Sequence, residues 1–179
     1  GAYRQMAQEE LDLVVHLGDY IYEYGPARYP DAQVRRPLPV ASEATDLAGY
    51  REQWAAYKSD PDLQAAHAIA PWIVAWDDHE VENNYAGKQS DSGDDPTAFL
   101  RRRAAAYQAF YEHQPIRATP PAGPSMTAHR RVAWGDLATF HMLDTRQHRS
   151  DQAWGRESDI GPACAAVADP ERTLLGAEQ

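Results

Sequence analysis

Chemically versatile side chains directly follow two short apolar segments. Residues 72–76 run without a spacer into residues 77–80, which read DDHE. Residues 11–17 run in the same way into residues 18–23, which read GDYIYE. Short runs rich in aromatic and β-branched residues are typical of buried strands. Because open α/β sheets place ligand sites just past the carboxyl ends of strands, both strand ends are candidate functional positions.

Four residues at these strand ends have the donor types of a metal site: Asp19, Tyr22, Asp78 and His79. Hard cations take oxygen ligands, and two metals about 3.5–4 Å apart can clamp a phosphoryl group and activate a water. Asp19, at the Gly18 turn, suits a carboxylate shared between two metals, and the phenolate of Tyr22 suits a ferric ion. His79, beside Asp78, is placed to protonate a leaving alkoxide near neutral pH.

The same two motifs also admit structural interpretations. A Gly-Asp pair after a strand is more often a turn than a ligand. The DDHE motif could form a solvated acidic turn that caps a helix running on through Val81, with Asp77 or Glu80 serving only that cap. Because both motifs follow a hydrophobic strand, a metal site is the favoured interpretation.

Further polar residues near strand ends leave two alternatives open. Asn83 and Asn84 could contact a metal or a phosphate oxygen, or could be turn residues that end a helix. Asp144 and Arg146 follow the end of a predicted hairpin. Arg146 suits bidentate phosphate recognition, but an Asp–Arg structural pair is the more ordinary alternative. The arginines at 101–103 are expected on a solvated helix face.

Other candidates are expected to be structural. Tyr20 and Ile21 are predicted to pack in the core. His16, in a strand, and His67, on a helix, are expected to play structural or supporting roles. His129 shows no pattern of partner residues in the sequence.

The elements that position the motifs follow from hydrophobic spacing and capping residues. Residues 2–10 resemble a helix that leads into the first strand. Pro-rich residues 24–44 and the tail from His148 are expected to be loop. Helices, strands and a hairpin about Gly135-Asp136 are predicted in this order: strand 11–17, helix 46–58, a shorter helix from 60 to about 69, strand 72–76, helix 97–112, and hairpin strands 129–134 and 137–143. This order predicts a mixed α/β layered fold.

Composition narrows the class of protein. The chain has 179 residues and a formal net charge of −10, which argues against a nucleic-acid-binding surface. Its single cysteine, Cys164, excludes an internal disulfide framework and a cysteine-rich zinc site. No apolar run approaches the ~20 residues of a membrane span. The chain opens on Gly1 without an initiator Met, so we expect an internal fragment in which a missing signal peptide says little about localisation.

Taken together, the motifs resemble those of the PhoD-like alkaline phosphatases of the metallophosphoesterase superfamily. GDYIYE, DDHEVENN and LDTRQHRSDQ occur in that order, and the resemblance runs from about residue 3 to residue 179. It implies an α/β fold, a layered metallophosphoesterase-type β-sandwich flanked by helices. Residues 1–179 would be the central part of a single catalytic domain, incomplete at both ends.

The resemblance also implies an activity and its cofactors. Members of the family hydrolyse phosphomonoesters and phosphodiesters with Fe³⁺ and Ca²⁺, and other divalent metals are possible. They are typically secreted or periplasmic, and we expect the full-length form to be monomeric.

Site roles can be carried over residue by residue. Asp19 would bridge the metals, Tyr22 would ligate the ferric ion, and Asp78 stands where the wider superfamily has Asn. His79 would be the acid histidine. The family's first metal-binding Asp and its later histidines have no counterpart here, so the isolated fragment is expected to be inactive. The alternative is a non-catalytic metal- or phosphate-binding α/β module.

Overall fold

The computed structural model of the chain describes residues 1–28, 38–153, 165–177 and 179. Four α-helices and four β-strands are found in these ranges, with 3₁₀ turns at Pro26–Arg28 and Ala165–Ala168. The elements are α1 (Ala2–Met6), β1 (Val14–His16), α2 (Leu47–Lys58), α3 (Pro61–Ile69), β2 (Trp72–Val74), α4 (Pro96–His113), β3 (Arg130–Trp134) and β4 (Ala138–Met142). The predicted mixed α/β class is confirmed.

The two strands that lead into the chemical motifs lie side by side. β1 and β2 pair in parallel, with Val14 opposite Trp72 and His16 opposite Val74. A parallel pair needs a crossover connection, and α2 and α3 lie within it. Parallel pairing brings the carboxyl ends of both strands to the same edge.

Aspartate caps begin the three longer helices. The carboxylate of Asp46 accepts a hydrogen bond from the N–H of Gly49 at the start of α2. Asp60 caps α3 and Asp95 caps α4, and each is followed by Pro at the first helical position. These starts agree with the capping signals in the sequence.

The hairpin forms about the predicted turn. β3 and β4 are antiparallel, with Trp134 opposite Ala138 across Gly135 at φ 53°. Arg130 of β3 donates from its guanidinium to the carbonyl oxygen of Val74. This contact places the hairpin beside β2.

An aromatic core holds the layers together. The rings of Trp76 and Tyr107 stack with centroids 4.3 Å apart, and Phe110 packs edge-on against Trp76. Trp54 of α2 contacts Phe110 of α4 in the same way. Trp76, which follows β2, therefore packs against α4, and α4 packs against α2 of the crossover.

Four sequence predictions need correction. The helix predicted over 2–10 ends at Met6, and the strands predicted over 11–17 and 72–76 contain three residues each. Arg102 and Arg103 are buried at 7% and 2% exposure, so of the arginines at 101–103 only Arg101 is exposed as predicted. Two carboxylates and the Tyr50 hydroxyl compensate Arg102.

Three sequence features fall wholly or partly outside the described residues. They are the basic pair Arg35-Arg36 in the Pro-rich loop, Cys164, and part of the tail after His148. Among the described residues, no helix combines the length and apolar character that a bilayer crossing requires.

Candidate metal centre

The loop after β1 is shaped by close approach to the residues after β2. Gly18 has φ 117°, and a Cβ there would lie 2.5 Å from the backbone nitrogen of Asp77. Asp19 follows with φ 55°, a left-handed conformation that few non-glycine residues adopt. Only glycine fits the first position, and the strained second position aims Asp19 at the motif after β2.

The two strand ends bring a compact donor cluster together. Each of Asp19, Asp78 and His79 offers one ligand atom, and these atoms lie within 4.8 Å of one another. Asp78 is buried, whereas Asp19 and His79 are partly exposed. Of the four residues that the sequence analysis grouped as candidate donors, the structure brings these three together in one cluster, and Tyr22 is described below.

A buried glutamate ties the two loops together. Glu80 accepts from the backbone N–H of Tyr20 at 2.6 Å and from that of Asp77 at 2.8 Å. Burial raises the pKa of Glu80 to about 7, although both backbone hydrogen bonds act against that rise. Glu80 therefore connects the loop after β1 to the loop after β2, which is more than the helix cap considered from the sequence.

His79 is oriented by a carboxylate that the sequence analysis did not single out. Nδ1 of His79 is 2.8 Å from Oε2 of Glu23, which is fully buried. The other oxygen of Glu23 accepts the backbone N–H of Asn83 at 2.8 Å. Nε2 of His79 is left facing the cluster, 4.0 Å from Asp78.

The electrostatics of His79 follow from these neighbours. Burial lowers the pKa of His79, but the hydrogen bond and charge of Glu23, with the charges of Asp78 and Asp19, raise it by more. The net pKa lies above that of an ordinary histidine.

Aromatic rings complete the surroundings of His79. The ring of Tyr22 lies 4.2 Å from that of His79, centroid to centroid, and Tyr24 approaches the histidine edge-on. Tyr20 and Ile21, which precede Tyr22, are buried, as predicted. Within the GDYIYE motif, Tyr20 and Ile21 thus lie in the core, whereas Tyr22 and Glu23 contact His79.

Arg146 supplies the positive charge next to the cluster. Its guanidinium lies 2.5 Å from a carboxylate oxygen of Asp77 and 3.0 Å from one of Asp78. Asp144, which is fully buried, instead accepts the backbone N–H groups of Arg146 and Gln147. Arg146 forms an Asp–Arg pair, but its partners come from the DDHE motif and not from Asp144.

The adjacent residues Asn83 and Asn84 contact different parts of the structure. The side chain of Asn83 donates to Asp91 at 3.4 Å. Asn84 has φ 55°, and its backbone N–H donates to Asp78 at 2.6 Å. The side chain of Asn84 lines a cavity of about 480 Å³ together with Arg146 and Arg149. Asn84 therefore donates to Asp78 and also borders an open space.

The donor set fits a hard cation. Metal–oxygen and metal–nitrogen distances of roughly 2.0–2.6 Å allow one ion to reach atoms within this spread. Burial, followed by the charge of Asp78, raises the pKa of Asp19. A bound cation would relieve this repulsion between neighbouring carboxylates. Glu23 behind His79 matches the carboxylate that commonly orients a metal-site histidine.

Parallel strands whose shared edge carries two aspartates and a histidine within metal-binding distance define an α/β protein with a candidate metal centre. A family model described as PhoD-like phosphatase matches residues 1–179. The chain belongs to the PhoD-like phosphatase family.

Two relatives make the match concrete. Alkaline phosphatase D of Bacillus subtilis (strain 168) is 51% identical over 179 residues, which is 99% of this chain and 30% of that protein. A solved structure described as the structure of PhoD has a TM-score of 0.89 and 51% identity over 99% of this chain and 34% of that one. The chain therefore spans about a third of the length of these relatives.

Proposed function

We propose that this chain contributes part of the catalytic centre of a metal-dependent phosphoric ester hydrolase. The observation that carries the proposal is the cluster of Asp19, Asp78 and His79 at the shared edge of β1 and β2. Membership of the PhoD-like phosphatase family and 51% identity to an alkaline phosphatase D support it.

Each residue of the centre has a proposed task. Asp19 and Asp78 would hold the metal, which when bound supplies Lewis-acid stabilisation of charge on the phosphoryl oxygens. His79 presents Nε2 to the leaving-group oxygen and gives it a proton, because Glu23 occupies Nδ1. The raised pKa of His79 favours the protonated form that this task requires.

The identity of the metals is a further part of the proposal. We infer a ferric ion and calcium, with Tyr22 as the ferric phenolate ligand. The ring of Tyr22 packs against that of His79, which places Tyr22 next to the donor cluster. Full-length protein loaded with iron should show a visible charge-transfer band, and a band that survives Tyr22→Phe would remove the assignment.

Substrate contacts are proposed for the residues that border the centre. Arg146 and Asn84 line the adjoining cavity and suit the oxygens of a phosphate monoester or diester. Arg146 is also paired with Asp77 and Asp78. In this proposal it positions the carboxylates and contacts substrate from the same side.

The fold-level proposal is that both small sheets belong to one β-sandwich. An apolar cleft of about 380 Å³ separates the β1–β2 pair from the hairpin, and Val15, Leu17, Phe140 and Leu143 line it. Leu17 is 77% exposed, so this surface is available for further strands. Export from the cytoplasm and a monomeric state are proposed from family membership alone.

The activity is tested with two chromogenic substrates. Hydrolysis of p-nitrophenyl phosphate and bis-p-nitrophenyl phosphate would be measured with and without chelator, in this chain and in a longer protein that includes its flanking sequence. We expect turnover by the longer protein that chelator and Asp78→Ala both abolish, and none by the 179-residue chain alone.

The controls separate catalysis from binding. Asp12→Ala removes an exposed carboxylate close to β1 and should leave the rate unchanged. A folded, metal-loaded longer protein without turnover would favour a non-catalytic binding module over a hydrolase. Metal-dependent turnover by the short chain that His79→Ala abolishes would show that its own donors suffice.

A further inference from the structure

A second cavity borders the 144–148 segment, and none of its described lining residues belongs to the cavity beside Asn84 and Arg146. Its volume is about 420 Å³, within the range of small-molecule sites. Gln147 and His148 border it, whereas Arg146 between β4 and Gln147 turns to Asp77 and Asp78. The cavity is therefore distinct from the one next to the candidate metal centre.

A buried, unpaired guanidinium forms one wall of this cavity. Arg103 is 2% exposed and lines the space. It donates to the carbonyl oxygen of Gly87 and lies 5.5 Å from the centre of the Tyr107 ring. Its Nε has no hydrogen-bond partner, and no carboxylate in the described parts of the chain forms an ion pair with it.

The adjacent arginine shows what is missing. Arg102 is buried to a similar degree, but its guanidinium reaches Glu82 at 3.1 Å and Glu43 at 2.7 Å. Removing a charge from water is unfavourable, and a partner of opposite charge offsets this cost. Arg103 bears the same cost, and within the described part of the chain the contacts that offset it are a carbonyl oxygen and an aromatic ring. An anion in the cavity would supply the missing compensation.

The remaining walls have the chemistry of an anion site. Lys88 and His129 add a cation and an imidazole, and Ser125 and Thr127 add hydroxyl donors. None of the described residues that line the cavity is acidic, in a chain whose formal net charge is −10. Local exclusion of carboxylates from an acidic protein indicates a site for negative charge.

We propose that this cavity is a second anion-binding site, which takes inorganic phosphate or the phosphoryl group of a small phosphate ester. The Arg103 guanidinium contacts the buried end of the ligand, and Lys88 closes the exposed side. The cavity exceeds the size of phosphate alone, so an organic substituent can be accommodated.

Hydrogen bonds and ion pairs connect the wall of this cavity to the candidate metal centre. Gln147, on the cavity wall, donates to Asp144 at 3.0 Å. Asp144 in turn accepts the backbone N–H of Arg146, whose side chain pairs with Asp77 and Asp78. An anion held beside Gln147 therefore acts on the same segment that positions Arg146.

Phosphate binding to the metal-free chain tests the proposal. Inorganic phosphate would be titrated calorimetrically into chelator-treated protein at low ionic strength, with acetate as a carboxylate comparison. We expect one phosphate per chain, and at least a tenfold weaker Kd in Lys88→Ala/His129→Ala. Arg131→Ala removes an exposed arginine of β3 outside the cavity and should leave the Kd within twofold.

Two more variants keep the result decisive. Arg103→Met should abolish binding; if it unfolds, the Lys88→Ala/His129→Ala result stands alone. Arg149→Ala removes a guanidinium from the cavity beside Asn84 and should not affect binding. Loss of binding in Arg149→Ala with normal binding in Lys88→Ala/His129→Ala would place the anion at the metal centre and overturn the proposal. Absence of binding to the wild-type chain would overturn it as well.

Discussion

At the scale of single residues, the site depends on a buried glutamate that orients His79. Glu23 is fully buried and uses both oxygens, one for His79 and one for the backbone of Asn83. It fixes which imidazole nitrogen is free. In this respect Glu23 is a positioning residue, and its effect should appear in the state of His79.

Glu23→Gln should detach His79 from this orientation. An amide has only one acceptor oxygen, so the variant cannot serve both Nδ1 of His79 and the N–H of Asn83. Where phosphatase turnover is observed, kcat should fall roughly 10–100-fold with little change in KM. In the chain itself, the downfield proton signal of the His79 Nδ1–H should disappear from the NMR spectrum.

One control variant accompanies Glu23→Gln. Glu9→Gln, an exposed change outside the site, should leave both readouts as in the wild type. A folded Glu23→Gln variant that keeps the imidazole signal and a rate within twofold of wild type would contradict the positioning role.

The sequence identified the donors of the cluster but not their support. Asp19, Asp78 and His79 each follow an apolar run. Their positions at the ends of predicted strands were enough to predict that they lie close together. Glu23 was missed because burial of a carboxylate depends on partners about 56 positions away, which no local pattern records. Glu80 was recognised as a possible cap, but its two backbone partners lie on separate loops.

At the scale of elements, α4 shows how a correct helix was given a wrong exposed face. The apolar positions Phe99, Ala106 and Phe110 were recognised and are buried. Arg102 and Arg103 fall at helical spacing between them, on the same stripe. That spacing was the available signal. Three consecutive arginines pointed instead to solvent, because buried arginines are rare without paired carboxylates.

Arg102→Met should strongly destabilise the chain. It removes the partner of buried Glu82 and of the Tyr50 hydroxyl, and loss of one member of a buried pair costs about 3–5 kcal/mol. Arg101→Met is the matched control, because Arg101 is exposed one position earlier and should stay within about 0.5 kcal/mol of wild type. Urea unfolding at pH 7 measures both. Equal stability of the two variants would show that the Arg102 network is not stabilising.

An ion pair between α2 and α4 should make stability depend on acid. Arg51 and Glu112 form a bidentate pair at 2.7 and 2.6 Å, and hydrogen bonds from Arg51 and then Gln108 lower the pKa of Glu112 to about 2. Because the pKa of Glu112 is lower in the folded state than in the unfolded state, ionised Glu112 stabilises the fold. This stabilisation is complete at pH values above the unfolded-state pKa, near 4.5. This contribution is lost as the pH falls through about 2.

Glu112→Gln tests the sign of this effect. The variant should be less stable than wild type at pH 7, by a modest amount because the pair is near the surface. The difference should fade between pH 4.5 and about 2 in urea unfolding. Glu52→Gln, an exposed change on α2, should show no such trend. A Glu112→Gln difference that stays constant over this pH range would rule out the pair as its source.

Element boundaries were predicted well where local contacts determine them and poorly where distant contacts do. Helix starts were predicted well because Asp46, Asp60 and Asp95 cap them through local hydrogen bonds. Strand lengths were overestimated because a strand extends only as far as its partner does. Three pairs define β1 and β2, and Gly18 then turns the chain away.

At the scale of the whole molecule, metal binding should raise the free energy of unfolding. A ligand that binds only the folded state stabilises it by RT ln(1 + [L]/Kd), which is about 2.7 kcal/mol at 100 Kd. For a chain of this size, that corresponds to a rise in Tm of roughly 5–10 °C. Calcium titrated into chelator-treated protein should therefore raise Tm in thermal unfolding.

The variant pair for this measurement comes from the two segments that flank β1. Asp19→Asn removes a donor of the cluster and should suppress the calcium-dependent rise, whereas Asp12→Asn, an exposed aspartate nearby, should preserve it. The same rise in both variants would mean that calcium binds elsewhere.

The parallel pairing of β1 with β2 has a kinetic consequence. Val14 and its partner Trp72 are 58 positions apart, and the two halves of the donor cluster follow these strands. Closing a loop of that length costs about 3–4 kcal/mol of chain entropy, and this cost arises before the contacts between the two strands can offset it. The centre therefore assembles late, in the slow step of folding that joins distant segments. A single proteolytic cut within the crossover would turn this step into a bimolecular encounter, and recovery of the centre would then depend on protein concentration.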